Sequence, residues 1–427
     1  MKRAIACASI AVVGAASLHA QLADSPAVNK PWSVSAKLRG FYDDNYNTAP
    51  SDRNPAVPTY RPESSWGVQF TPSVAYNLMR DLTTFNAKYT FDMRWYEARV
   101  DEEIDMTHVG EIGFSHTFSE RVKVDLYDSL VYSSEPEVLD PSGMPGVYTR
   151  TENNNFRNYG GIGFNFGLTE KLGSRLGYSN TIYDYEEDNG DVALGAGSRS
   201  SVLDRMEHLV SLDLRWMFQP TLVGLVGYQF GYIDYTSDDI IIPATTLTGD
   251  IRDQESNYGF VGLDYTATPQ LAAQLRAGFN YAQYPNANAD DIWAPYVDAA
   301  LSYEYLQGSK FVIGARHDLR PTDVANIDAA NQVTMAQEAT TLYAMINHRL
   351  TEKLSASLRG SYQMGEFQNG PQDGEQDDYY TVDVNLAYDF THNLGVEVGY
   401  AYDNLDSDLD YRSFDRNRFY FGVKANY

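Results

Sequence analysis

The sequence of 427 residues contains a single cysteine, Cys7, which lies close to the N-terminus. Lys2 and Arg3 precede an apolar stretch over residues 4–16, and small residues lead to a cleavage site predicted after Ala20, which is the pattern of a secretory signal peptide. Cys7 would leave with this peptide. The exported chain would then have neither disulfides nor a thiol nucleophile, so other interactions must stabilise it.

Basic residues are also scarce, because 32 Lys and Arg stand against 58 Asp and Glu and give a formal net charge of −26. A surplus of negative charge repels phosphate groups. The composition therefore argues against nucleic acid or an anionic lipid surface as a partner.

Long apolar runs are missing after the predicted signal peptide. No stretch approaches the roughly 18 residues that a spanning helix needs, and the mean hydropathy is −0.42. A membrane-spanning helix is therefore excluded. Aromatic residues, in contrast, are abundant, with 33 Tyr, 19 Phe and 5 Trp, and tyrosine at this level is typical of membrane interfaces.

Apolar and polar residues alternate along many segments, which is the pattern of a strand with one apolar face. The clearest apolar series is Trp66, Val68, Phe70, Pro72, Val74, Tyr76 and Leu78, with polar or small residues between its members. A second series runs through Phe85, Ala87, Tyr89, Phe91, Met93 and Trp95. Each segment is about long enough to cross a bilayer when it is tilted.

The connections between segments alternate between short and long. Eight are tight polar turns closed by apolar residues, and two of these share the spelling Leu-Thr-Glu-Lys-Leu, at 168–172 and 350–354. The others are longer and acidic, such as 43–63, 133–154 and 236–255. Short turns at one rim and long loops at the other are typical of the periplasmic and extracellular ends of an outer-membrane barrel.

The segments number eighteen, and an even number places both termini at the periplasmic rim. The alternation is interrupted at His108, His116 and His317, so sixteen strands is the alternative. A secreted sandwich or solenoid would also alternate, but a sandwich of this length would usually split into domains, whereas here the hairpin rhythm does not break. Outward aromatic residues collect at both strand ends, which predicts two interfacial girdles.

These patterns predict an all-β fold, a transmembrane antiparallel up-and-down β-barrel over residues 32–427. A signal peptide at 1–20 and a short periplasmic segment at 21–31 precede it. Cell outer-membrane localisation in a Gram-negative organism follows from this architecture. Closure is expected because an open sheet edge in hydrocarbon would leave backbone groups without hydrogen bonds.

The chain ends on an aromatic residue after alternating apolar positions. This pattern resembles the C-terminal assembly signal of bacterial outer-membrane barrels, and its residues are Phe419, Phe421, Val423 and Tyr427. It predicts the barrel-assembly machinery as a partner, besides outer-membrane lipid and lipopolysaccharide.

Charged residues fall on the inward face by parity. Those predicted to line the pore are Lys37, Arg39, Lys88, Asp92, Arg94, Arg175, Asp213, Arg215, Arg276, Arg316, Arg349, Arg359, Asp383 and Glu397. A barrel of 16 to 18 strands leaves room for an aqueous lumen, and rings of charge are how such pores select solutes. Equally, the charges could simply pair across the wall and solvate the interior.

No motif for catalysis, metal or cofactor is present in the sequence. The six histidines after the predicted signal are scattered, with no glutamate at the spacing of a metalloprotease, and no nucleophile turn of the Gly-x-Ser-x-Gly type occurs. The sequence therefore predicts a protein that is not an enzyme and has no cofactor.

The first strand and its turn carry a family resemblance. Residues 34–45 read Val-Ser-Ala-Lys-Leu-Arg-Gly-Phe-Tyr-Asp-Asp-Asn and resemble the opening of the β-barrel porin type 2 proteins, as do Gly-Ile-Gly-Phe-Asn-Phe at 161–166 and the Leu-Thr-Glu-Lys-Leu turns. Members of that group occur with exopolysaccharide gene clusters. The resemblance implies a channel barrel and makes export of an acidic polysaccharide a second possibility.

Three functions therefore stand as expectations. The first is a porin-like channel for passive diffusion of small hydrophilic solutes, and the second is export of an exopolysaccharide through the same lumen. The third is a structural or adhesive barrel whose lumen stays closed. Oligomers are possible, as for many channels of this size.

Overall fold

The structure is a computed structural model. It describes residues 31–52, 61–100, 103–134, 154–187, 198–241, 245–328 and 332–427. The predicted signal peptide and nearly all of the predicted periplasmic segment lie outside the described residues.

Eighteen strands form one sheet, as the alternation predicted, and the alternative of sixteen is wrong. They are β1 Trp32–Asp43, β2 Ser65–Arg80, β3 Thr83–Tyr96, β4 Ile104–Ser119, β5 Val122–Ser133, β6 Asn155–Gly167, β7 Leu172–Tyr185, β8 Arg205–Gln219, β9 Leu222–Tyr235, β10 Gln254–Thr268, β11 Leu271–Gln283, β12 Ile292–Leu306, β13 Ser309–Pro321, β14 Ala336–Arg349, β15 Leu354–Gln368, β16 Gln376–Asp389, β17 Leu394–Ser407 and β18 Phe414–Asn426. Each pairs antiparallel with its neighbours in the chain.

The sheet closes because β1 also pairs with β18. The register runs from Ser35 opposite Asn426 to Asp43 opposite Arg418. Beyond it, the amide of Tyr427 donates to the Val34 carbonyl at 2.8 Å, and the amide of Val34 donates to the Tyr427 carbonyl at 3.0 Å. No sheet edge is left open, so the backbone of the strands can lie in hydrocarbon.

The alternation of the sequence becomes the two faces of this wall. Outward side chains are apolar and exposed, as at Trp66 (65%) and Phe421 (60%). Aromatic side chains ring the outer wall at both ends, with Tyr42, Trp66, Trp95, Tyr132 and Tyr232 near the long loops and Tyr76, Phe118, Phe166, Phe218, Tyr265 and Phe390 near the short turns. Tyrosine and tryptophan favour this position because one end of the side chain is apolar and the other is polar.

All eight predicted short turns connect consecutive strands at one end of the barrel. In the two Leu-Thr-Glu-Lys-Leu turns, the hydroxyls of Thr169 and Thr351 accept hydrogen bonds from the amides of the second and third residues that follow. This bonding explains the repeated spelling, because threonine satisfies amides that a tight turn leaves without strand partners.

The described long connections contain the few helical residues. Helix α1 spans Arg199–Leu203, and short 3-10 turns lie at Gly249–Arg252 and Gly370–Gln372. Among the described residues, none of the helices is long and apolar enough to cross a membrane.

The histidines that interrupt the alternation lie on the outward face, where each bonds through its Nδ1 to a hydroxyl of a neighbouring strand. The pairs are His108 with Tyr89, His116 with Thr83 and His317 with Thr340, all at 2.7 Å. The histidines thus interrupt the apolar series but not the strands, because a hydroxyl of the neighbouring strand bonds each ring nitrogen.

The residues of the predicted assembly signal occupy the last strand. Phe419, Phe421 and Val423 are exposed on the outer wall, and the ring of Tyr427 packs 5.6 Å from that of Trp32. Recognition of this strand by an assembly machinery stays a prediction.

Aromatic rings cover glycines on the inward face of the wall. In five places the two residues are directly opposite in register, namely Phe41 and Gly67, Tyr127 and Gly161, Phe260 and Gly227, Tyr343 and Gly314, and Tyr420 and Gly399. A Cβ added at any of these glycines would overlap the opposite ring. The glycines are therefore required for close approach of a ring to the backbone.

We expect Gly399→Ala to destabilise the barrel by about 1–3 kcal/mol, because the new methyl group forces the Tyr420 ring out of place. Urea unfolding of the heat-modifiable band checks this. Gly40→Ala is the matched control, since a Cβ there meets nothing within 4 Å. Equal urea midpoints of unfolding for the two variants would show that the packing of the Tyr420 ring does not require a glycine at position 399.

Candidate functional site

The charged residues predicted to line the pore all lie on strands and have the parity opposite to the exposed apolar residues. They therefore project into the lumen. Arg349 differs from the others because it is the last residue of β14, and its guanidinium donates to the carbonyl of Glu352 in the adjacent turn at 3.2 Å. This side chain marks the periplasmic rim, not the middle of the lumen.

Many of the inward cations are bound to carboxylates. Arg39 bonds Glu397 at 2.6 Å, and Arg94 bonds Asp92 at 3.0 Å. Lys88 bonds Glu111 at 2.9 Å, and Arg316 bonds Asp318 at 2.7 Å. Such pairs cross between strands or link alternate residues of one strand, so much of the predicted basic ladder is neutralised locally.

Asp264 holds two of the predicted arginines. It is 2% exposed, and its carboxylate bonds both Arg276, at 2.6 Å, and Arg215. Asp264 was not among the residues that the sequence predicts to line the pore, although its inward parity between Leu263 and Tyr265 was a usable signal. Its role depends on the register of β8, β9, β10 and β11, which the sequence does not display.

Arg39 makes a second contact that the sequence analysis missed. Its guanidinium lies 4.2 Å from the ring centroid of Tyr420, a cation–π geometry. The hydroxyl of Tyr420 in turn accepts from the Asn385 amide at 3.0 Å. Tyr420 thus has two roles, because its ring covers Gly399 and also positions the guanidinium of Arg39 in the lumen.

Besides Arg349 at the rim, three predicted cations have no carboxylate oxygen within 4.0 Å among the described residues, namely Lys37, Arg175 and Arg359. Lys37 is directly opposite Lys424 in the β1–β18 register. Arg39 and Lys88 are also near enough to repel it, and Glu397 attracts it. Like charges opposite each other on neighbouring strands are unfavourable, so this part of the wall has a local excess of positive charge.

Asp213 and Asp383 complete the predicted set. Asp213 is opposite Arg175 in register, and one of its carboxylate oxygens is buried with no hydrogen bond to a described residue. Asp383 is opposite Arg359. Each carboxylate therefore lies opposite an arginine of the neighbouring strand, but its oxygens are more than 4.0 Å from that arginine's nitrogens.

Loops meet over the extracellular mouth through buried arginines. Arg412, between β17 and β18, bonds Asp323, between β13 and β14, at 2.7 Å and Asp377 at 3.0 Å. Arg252 is 1% exposed and donates to the carbonyls of Val202, at 3.1 Å, and Thr322, at 2.5 Å. The bonds of Arg412 to Asp323 and of Arg252 to Thr322 each join loops that are not neighbours around the rim of the barrel.

An apolar cluster lies beneath these loop contacts. Its buried members are Ile241, Ala282, Tyr284, Ile292, Ala294, Leu319, Val333, Met335 and Ala336. They come from β11, β12, β13, β14 and the connecting loops. Burial of this much apolar surface fixes the loops against the wall.

We expect Arg412→Ala to raise the mean channel conductance, because it leaves the buried carboxylates of Asp323 and Asp377 without a counter-charge. Single-channel recording in planar bilayers measures this. Asp410→Ala on the same exposed loop is the control and should leave conductance unchanged. Identical conductance for both variants would mean that the arginine does not restrict the mouth.

The loop that contains α1 holds a titratable group. Burial raises the pKa of Asp204 to about 7 from its ordinary value of 3.8. Its carboxylate accepts from the Tyr185 amide at 2.7 Å, and its own amide donates to the Ser200 carbonyl at 3.0 Å. Because the folded loop favours the protonated form, the stability that Asp204 contributes falls as pH rises from about 4 to about 7 and then stays level.

Hydrogen exchange of the amides of Arg199–Leu203 tests this pH dependence. We expect their protection factors to be lower at about pH 8 than at about pH 5 in the native chain. Asp204→Asn should abolish the difference, since it removes the titrating group. A difference that persists in this variant would assign the effect to another residue.

Groups of three or more His, Cys, Asp or Glu side chains placed to hold a metal do not occur in the described part of the chain. The five histidines on strands all have outward parity. The ionisable groups of the inward face in the described strands are therefore those of Arg, Lys, Asp, Glu and Tyr, with no histidine among them.

A closed barrel of eighteen antiparallel strands, apolar and girdled by aromatics outside and charged inside, is a porin-like channel of the outer membrane. Residues 33–427 match the family model "Putative beta-barrel porin 2", and the chain belongs to this family. The resemblance carried by the first strand is thereby confirmed.

Solved structures similar to this chain include OccAB4 of Acinetobacter baumannii, at 14% identity and a TM-score of 0.43. A BenF-like porin of Pseudomonas fluorescens Pf-5 is similar at 12% identity and 0.44, and opdK of Pseudomonas aeruginosa at 9% and 0.42. Each alignment covers 93% of this chain and 99% of the other. No curated protein matched the sequence.

Proposed function

We propose that the barrel passes small hydrophilic solutes by passive diffusion and prefers anions. The observation that carries the proposal is Lys37, which lies directly opposite Lys424 across the β1–β18 pair and has no carboxylate oxygen within 4.0 Å among the described residues. The cations around it are each paired, Lys424 with Asp389, Arg39 with Glu397 and Lys88 with Glu111, so Lys37 leaves this part of the wall with one positive charge in excess. A fold gains nothing from like charges in register. An anion in the lumen would relieve their repulsion.

The cations of the lumen divide into two groups. Arg215 and Arg276 share the carboxylate of Asp264, which compensates one of their two positive charges and holds both guanidinium groups against the wall. Lys37, Arg175 and Arg359 have no such partner among the described residues. Selectivity should therefore depend on these three, because an unpaired charge gives a stronger field in the lumen than a paired one.

The reversal potential in a salt gradient tests this division. We expect Lys37→Gln and Arg359→Gln to lower the anion-to-cation permeability ratio by about twofold or more, because each removes an unpaired charge. Arg215→Gln is the matched control. It also removes one positive charge, but Asp264 keeps Arg276 as its partner.

The control variant should shift the ratio less than either of the other two. If all three substitutions changed it equally, total charge and not pairing would set selectivity. A native channel that prefers cations would contradict the proposed anion preference outright.

Restricted loops at the mouth favour a second candidate, a barrel whose lumen is open only part of the time. The bond between Arg412 and Asp323 joins loops that are not adjacent in the barrel. A constriction of this kind suits small solutes better than a polymer. Export of an acidic polysaccharide stays a prediction, and a deletion strain with unchanged polymer secretion would remove it.

The proposal includes export by a cleaved signal peptide. Intact mass measurement of the protein from outer membranes should give a chain that begins at Gln21. A mass that includes Met1 to Ala20 would contradict it.

A further inference from the structure

Polar side chains cross the outward face of strands β5 to β8. Asp128 is opposite Gly160, Gly160 is opposite Asn180, and Asn180 is opposite His208. These residues have the same parity as exposed neighbours such as Leu130, Tyr178 and Val210. They form a row on the lipid-facing side of the wall, which we call the polar row, together with Asn158.

The polar row is deep enough to lie in the membrane. Asp128 is near the middle of β5, and Tyr132 of the outer aromatic girdle is four residues further along the same strand. Elsewhere the corresponding outward positions are apolar, as at Leu38 on β1 and at Val382 and Val384 on β16. A carboxylate and two amides in contact with acyl chains are costly, because lipid offers no hydrogen bonds.

Hydrogen bonds within the polar row satisfy only some of its donor and acceptor atoms. The Asn158 amide donates to Asp128 Oδ1 at 3.0 Å, and the Asn180 amide donates to the Glu207 carbonyl at 3.1 Å. The other carboxylate oxygen of Asp128 and the side-chain oxygens of Asn158 and Asn180 accept no hydrogen bond from the described residues. Acceptors are therefore left facing outward.

His208 supplies a donor on the same face. Its Nδ1 lies 2.9 Å from the Tyr178 hydroxyl and 3.2 Å from the Asn180 amide nitrogen. Since an amide N–H can only donate, Nδ1 is the acceptor and the neutral ring carries its hydrogen on Nε2. The polar row thus offers both donors and acceptors to whatever covers it.

Glycines lie beside Asp128 on the outward face, so the carboxylate is not covered by neighbouring side chains there. A Cβ at Gly160 would lie 3.0 Å from the Asp128 carboxylate, and a Cβ at Gly110 would meet nothing within 4 Å. Gly110 is opposite Leu130 on the neighbouring strand. The Asp128 carboxylate therefore lies over the backbone of Gly160, and the surface over Gly110 is open.

We propose that the polar row is the surface through which copies of this chain associate in the membrane. Copies inserted by the same route share one orientation and differ by rotation about the membrane normal, so residues of equal depth meet. A surface that carries both hydrogen-bond donors and acceptors can bond to a second copy of itself. The association buries Asp128 and its neighbours against polar partners instead of lipid.

The native mass of the purified full chain tests the association. In detergent and in nanodiscs we expect the wild type to be a multimer. Asp128→Leu with Asn158→Leu should raise its apparent dissociation constant about tenfold or more. Asn257→Leu is the matched control, because Asn257 also faces outward but bonds only the Tyr228 hydroxyl.

A wild-type chain that is monomeric in both media, or a double variant as multimeric as the wild type, overturns the proposal. Both variants remain folded barrels if they show the heat-modifiable shift. This outcome is independent of what the lumen carries.

Crosslinking locates the interface without relying on stability. Only Cys7 is present in the sequence, and it falls in the predicted signal peptide, so one introduced cysteine reports one position. Asn158→Cys should form a disulfide between two copies under mild oxidation in native membranes, whereas Val384→Cys on β16 should not. Crosslinking at Val384 alone places the contact elsewhere, and adducts of Asn158→Cys with another protein show that a different partner covers the row.

Discussion

The whole structure depends on the hydrogen bonds that join β1 to β18. In hydrocarbon an unpaired amide or carbonyl has no water to bond, so the sheet must close on itself. The register from Ser35 with Asn426 to Asp43 with Arg418 achieves this closure. The same pair of strands also sets Lys37 against Lys424. The contact that closes the barrel thus also places Lys37, a cation without a carboxylate within 4.0 Å among the described residues, on the inward face.

The closed wall separates lipid outside from water inside, and the side chains of each face match the solvent that they contact. Outside, apolar side chains and aromatic girdles match the bilayer, and hydroxyl groups satisfy the occasional histidine. Inside, carboxylates such as Asp264 neutralise arginines, while aromatic rings cover bare backbone at glycines such as Gly399. The polar row of β5 to β8 departs from this rule on the outer face, which is why it requires a polar partner.

Sequence patterns predicted the wall but not the contacts made across it. Alternation with period two gives the strands and the inward parity of residues such as Arg94 and Asp213, because both follow from local geometry. The bond of Asp264 to two arginines depends on register among four strands, β8 to β11, and that of Arg412 to Asp323 on loops far apart in the chain. Neither can be read from neighbouring residues. The alignment of Asp128 with Asn180 and His208 on the outward face likewise depends on register across four strands.

The central claim is that a water-filled path runs through the folded barrel. The most direct measurement is the uptake of neutral sugars of increasing size into liposomes that contain the purified full chain. We predict rapid swelling with small sugars and a sharp decline with larger ones, because the loops joined by Arg412 and Arg252 narrow the mouth. No uptake of even the smallest sugar by a barrel that is verified as folded would contradict the account.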